Sequence, residues 1–212
     1  MPDTQQLIDD LHGDGDYGIL LAAQMGGVPN ELQLIIQTAR YDEAAQGLRE
    51  RRAYIVRVLG VREHRISLGV FGSLFFARQQ EHPLLYHHNT PLTAVRFEGR
   101  PKDVNELVLD IHQAYVLTFG PWRELAADIN RAQPLVNLLA SGEGVLGVMP
   151  RPAAERMAKV LAHHGLAAHL DEQPFETEDE HGRSRLMTLL GVGDSYFVAI
   201  DYSVQQMGKT GT

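Results

Sequence analysis

Three of the ten histidines in this 212-residue chain fall within one short segment, Glu81-His82-Pro83-Leu84-Leu85-Tyr86-His87-His88-Asn89. Imidazole is the commonest metal ligand and the ordinary acid or base near neutral pH. A strand over this segment would send His87 and His88 to opposite faces. A helix would set them about 100° apart. A metal site from His82, His87 and His88 therefore needs an irregular loop, or a ligand from elsewhere such as His112, Asp110 or His64. Pro83 and Asn89-Thr90-Pro91 favour the loop. The candidate ligand-binding residues are His82, His87, His88, Asn89 and His112, with the three clustered histidines as metal candidates. Neither a catalytic residue nor a cofactor is assigned.

A second candidate is basic. Arg49, Arg51, Arg52, Arg57, Arg62 and Arg65 crowd one stretch, offset by Glu50 and Glu63. They offer an anion or nucleic-acid contact, with Arg57 as the test residue. Strand alternation sends odd and even positions to opposite faces, so all six do not converge. The chain carries a formal net charge of −8, which repels nucleic acid and anionic membrane. Neither is an expected partner.

Other motif-like strings fail on context. Gly142, Gly144 and Gly147 spell G-x-G-x-x-G, but a dinucleotide site needs a strand before them and a helix after, and here the order is reversed. Gly208-Lys209-Thr210 resembles the end of a phosphate-binding loop, yet Ser203 stands where its first glycine belongs, and the chain ends at Thr212. Asp10, His12, Asp14 and Gly15 resemble the opening of a calcium loop, but the twelfth position is Leu21 where a bidentate glutamate is needed. The acidic run Asp171, Glu172, Glu176, Glu178, Asp179 and Glu180 reads as a solvated loop. His163 and His164 sit in the last turn of a helix, where positive charge complements the dipole. Trp122 reads as core. There is no cysteine, which removes thiol catalysis, thiolate ligands and disulfides together.

The elements that must position these residues follow from periodicity. Residues 4–12 read as a short amphipathic helix, followed by a turn through Gly13, Gly15 and Gly18. Residues 19–25 and 32–39 read as a hairpin. The clearest strand covers 53–61, with Tyr54, Val56 and Val58 on one face and Ile55, Arg57 and Leu59 on the other. Leu68 to Ala77 is apolar on both strand faces and must be covered on both, by this chain or a second copy. After the strand 93–97 the period becomes helical. Asp103 and Glu106 resemble a capping box, and Val104, Leu107, Val108, Ile111 and Tyr115 form a stripe. A further helix is expected from Pro121, with Trp122, Leu125, Ala126 and Ile129 inward, and a short one over 134–140. The last third reads as strand 144–149, a helix from Pro152 closed by Gly165, strand 166–170, and a hairpin of 185–190 with 196–201 across Gly193-Asp194.

The fold class is therefore α+β. It comprises an N-terminal, mainly antiparallel sheet with covering helices, then a smaller β-α-β-β unit. The division falls between 1–131 and 132–212. The first residues lack the pattern of a signal peptide, and no apolar run approaches the roughly 20 residues that span a bilayer. A cytoplasmic setting is expected. The chain can build a core but carries no coherent set of nucleophile, base and electrophile. The expected function is thus non-enzymatic binding or assembly as a homodimer. The histidine segment as an acid–base or metal enzyme, and the arginine segment as an anion-binding module, are the rivals.

Overall fold

A computed structural model of the chain describes residues 2–72, 76–178, 180–182 and 184–208. The fold is α+β, built from antiparallel sheets and a few helices. It divides into two compact units, one running to Glu81 and resuming at Met187, the other His82–Leu186.

The first unit opens with helix α1 (Pro2–Asp10), which buries Leu7. Strands β1 (Asp16–Met25), β2 (Glu31–Asp42) and β3 (Gly47–Leu59) form an antiparallel meander. Tyr54, Val56 and Val58 alternate into the core as their spacing predicts. Gly18 was expected in the turn but lies within β1. A Cβ there would fall 2.2 Å from the Phe71 ring, so the missing side chain makes room for an aromatic one. The apolar stretch after residue 66 divides into β5 (Gly69–Gly72) and β6 (Phe76–Gln79), after the short β4 (Glu63–Arg65). Ser73, Leu74 and Phe75 lie outside the described residues.

The second unit begins with a 3₁₀ turn, Pro83–Leu85, running into one turn of α2 (Tyr86–Asn89). The histidine segment is therefore helical rather than an irregular loop. Strand β7 (Leu92–Glu98) leads to α3 (Val104–Phe119), whose N-cap Asp103 accepts from the N–H groups of Asn105 (2.8 Å) and Glu106 (3.1 Å). The helix expected from Pro121 is replaced by two 3₁₀ turns, Gly120–Trp122 and Leu125–Ala127. Arg123 and Glu124 are extended between them and interrupt the helical path. Then come α4 (Leu135–Ala140), β8 (Glu143–Pro150), α5 (Arg151–His163) and β9 (Ala167–Glu172). The sheet order is β8-β7-β9, with both outer strands antiparallel to β7. Because β8 pairs with β7, residues on either side of 131–143 share one sheet. They also share one core, which includes Phe97, Leu107, Ile111, Met157 and Leu161.

The chain then returns to the first unit as β10 (Thr188–Val192), β11 (Ser195–Ala199) and β12 (Asp201–Gln206). The order β-α-β-β and the hairpin across Gly193-Asp194 follow the sequence expectation. The hairpin does not join the sheet of β8 and β9, however. It lies in the sheet β4-β11-β10-β6, while β12 extends the other sheet, β12-β3-β2-β1-β5. Leu190, Val192 and Phe197 share a core with Leu34, Tyr54 and Val56. That core supplies the partners the hairpin needs for its buried face.

Candidate functional site

The three clustered histidines have separate environments. His82 is the extended residue before the 3₁₀ turn, and its Nδ1 accepts from the Leu84 N–H at 3.2 Å. Its ring meets Trp122 edge-on, with centroids 5.1 Å apart. Burial holds its pKa below the ordinary imidazole value. His87 and His88 follow each other in the single turn of α2, which Asn89 ends. His112 is exposed on α3, and the nearby Asp110 carboxylate is bound by His164 Nε2 at 2.8 Å. His64 lies in the other unit, on β4, with its ring stacked on Phe197. Among the described residues no three His, Asp or Glu side chains are grouped to hold a metal ion.

His87 meets a buried carboxylate. His87 Nε2 lies 2.9 Å from Asp128 Oδ1, and the Tyr115 hydroxyl donates to Asp128 Oδ2 at 2.7 Å. Asp128 and Tyr115 are buried, and the His87 ring rests on Phe119. A carboxylate oxygen accepts, so the hydrogen of this bond belongs to His87 Nε2. Burial, then the bond to Asp128, pushes the Tyr115 hydroxyl above its ordinary pKa. A carboxylate orienting an imidazole is half of an acid–base apparatus. The other half is missing, because Nδ1 is shielded from solvent and meets no hydrogen-bond partner among the described residues. The arrangement ties α2 and α3 to the segment at Asp128.

Asp128 and the Tyr115 hydroxyl were not singled out by sequence. Tyr115 reads as a member of an apolar stripe. Asp128 is placed by contacts distant in sequence. The Val148 N–H donates to the Asp128 carbonyl (3.0 Å), and the Asn130 N–H donates to Leu146 (2.8 Å). This crossing requires Gly147, where a Cβ would lie 2.2 Å from the Asp128 carbonyl oxygen. The third glycine of the G-x-G-x-x-G string is thus a close-approach residue. As expected, a helix, α4, stands before those glycines and the chain runs into a strand, β8, which contains Gly144 and Gly147.

In the first unit the arginine segment does not converge as a whole, but the consecutive Arg51 and Arg52 do, beside a register irregularity in the β2–β3 pairing, where simple alternation would part them. Arg52 is hydrogen-bonded to Asp10 Oδ1, and Arg51 approaches the same oxygen at 3.4 Å and Asp16 at 3.3 Å. The Tyr54 hydroxyl (2.7 Å) and Thr38 Oγ1 (3.3 Å) donate to Asp10 Oδ2. Asp10 is only 1% exposed. Burial pushes its pKa up, but the bonds from Tyr54 and Arg52 and the charges of Arg52 and Arg51 outweigh it, leaving a net lowering. Asp10 therefore neutralises the arginines instead of opening a calcium loop. Arg57 is exposed on the opposite face of β3, opposite Gln33 and Ser203, away from this cluster.

The third candidate is apolar. Val70 of β5 stands opposite Ile19 of β1, while the next residue, Phe71, points into the core. Leu68, Val70 and Leu21 are 58%, 57% and 51% exposed. This is the outward side of the stretch Leu68 to Ala77. Among the described residues β5 pairs only with β1, so it is the edge strand of its sheet.

No protein-family model matches the chain, and no curated protein or solved structure matches it either.

Proposed function

We propose that this protein is a binding or assembly protein that acts as a homodimer, joined through the outward face of β1 and β5. The observation that carries this reading is the cluster of exposed aliphatic side chains Leu21, Leu68 and Val70 along an edge strand. A short edge strand is normally blunted by charge, proline or a covering element. Gly69–Gly72 has none of the first two, reading Gly-Val-Phe-Gly. The occupant is a second copy, because an isologous two-fold contact lets one apolar patch cover itself. It also keeps the repulsion between two acidic chains away from the contact, which carries no charged side chain of its own.

Light scattering on the purified chain across the micromolar range tests this. The expected result is a dimer that Val70→Asp converts to a monomer with unchanged circular dichroism. A monomer throughout, or a dimer indifferent to both Val70→Asp and Leu68→Asp, refutes the proposal.

A further inference from the structure

The second unit has a groove between α3 and α5 with a volume of about 320 Å³. Its apolar lining is the buried Ala114, the half-buried Val160 and Leu117, which is 74% exposed. One wall is basic. Arg156, Lys159 and His163 recur at spacings of three and four along α5, so they share one face of that helix. That face adjoins the buried stripe Ala153, Met157 and Leu161, which fixes how the helix is rotated. Arg156 and Lys159 are exposed and have no ion-pair partner among the described residues. Two cations thus stand without counter-charge beside an apolar lining. The single acid on the lining, Asp110, is turned to His164, a bond of 2.8 Å that also fixes the spacing of the two helices.

We infer that this groove binds a small amphiphilic anion, a carboxylate or phosphate headgroup carrying a short hydrocarbon body. The headgroup lies between Arg156 and Lys159, away from the carbonyl-bearing end of α5, whose partial negative charge repels an anion. The hydrocarbon covers Leu117 and Val160. A bare inorganic anion leaves the apolar lining exposed, and an uncharged hydrocarbon leaves the cations unmatched. The volume lies at the lower end of small-molecule sites, which sets the size of the ligand.

The test is a titration of the full isotope-labelled chain, followed by nuclear magnetic resonance, with octanoate, octyl phosphate, octanol and inorganic phosphate in separate arms. Octanoate or octyl phosphate is expected to give saturable shifts at Leu117 and Val160, and the tighter of the two identifies the headgroup. The doubly substituted Arg156→Gln/Lys159→Gln chain is expected to bind about tenfold more weakly, from two solvent-exposed charge contacts. Both positions are exposed, so the variant keeps its fold. The inference is overturned by any of four results: neither amphiphile saturates, octanol binds as tightly as octanoate, inorganic phosphate matches octyl phosphate, or the double variant keeps full affinity.

Discussion

Replacing Asp10 by alanine should destabilise the first unit strongly, and the reason lies in its partners. The carboxylate accepts from Tyr54, Thr38 and Arg52, with Arg51 close by. The arginine side chains are a third or more exposed (34% and 39%), so water restores much of their solvation when the carboxylate is removed. Tyr54 is fully buried and has no such relief, whereas the Thr38 hydroxyl keeps the Arg52 carbonyl at 3.1 Å. An orphaned buried hydroxyl costs about 1–3 kcal/mol, and the lost charge-assisted bonds add to it, so about 3 kcal/mol is expected. Tyr54→Phe alone should cost about 2 kcal/mol, the worth of one bond to a charged acceptor. In the combined Asp10→Ala/Tyr54→Phe chain the orphan no longer exists. Its cost should fall short of the sum by about 1 kcal/mol or more. Amide hydrogen exchange in β2 and β3, with urea unfolding followed by circular dichroism, measures all three variants. A single-variant cost below about 1 kcal/mol, or strict additivity, would refute the role given to this carboxylate. The pH dependence has a definite sign. The folded pKa of Asp10 lies below its unfolded value near 3.8. The stabilisation is therefore present above that value and lost as pH falls through the lowered one.

Gly147→Ala places a methyl group against the Asp128 carbonyl. It should displace the Asp128 segment and cost roughly 1–3 kcal/mol, measured by urea unfolding followed through the fluorescence of Trp122; an unchanged midpoint would contradict the crossing described for β8. His82 is held neutral by burial, so the unfolded chain takes up a proton first. Stability of the second unit should fall as pH drops through the unfolded value near 6.5. His82→Asn, which can still accept from the Leu84 N–H, should reduce that slope in thermal melts at several pH values. An equal slope in both chains would exclude His82 as its source.

Local periodicity determined much of the fold. Tyr54, Val56 and Val58 read as one face of a strand, and that face is buried. The stripe from Val104 to Tyr115 reads as a helix, and Asp103 caps it. Pro152 and Gly165 bracket α5. These features depend on residues one to four positions apart, which a linear chain displays directly. The same short range explains the failed expectation at Pro121. A helical pattern there was broken by extended residues at Arg123 and Glu124, and the segment that follows is tied at Asp128 and Asn130 to β8.

Tertiary structure alone decided which candidates meet. The sequence placed His82, His87 and His88 side by side, yet the turn at 82–89 directs His82 to Trp122 and His87 to Phe119 and Asp128. The partner of His87 is Asp128, forty-one residues on, brought there because Gly147 lets one backbone cross another. Asp10 reaches Arg52 and Tyr54 across a comparable separation. The hairpin after residue 187 joins strands near the start of the chain rather than its immediate neighbours. Burial demands a partner for every apolar face and every buried charge, but it does not require that partner to be near in sequence. Composition and spacing therefore identify the groups that must be matched, and only the packed fold determines which groups match them.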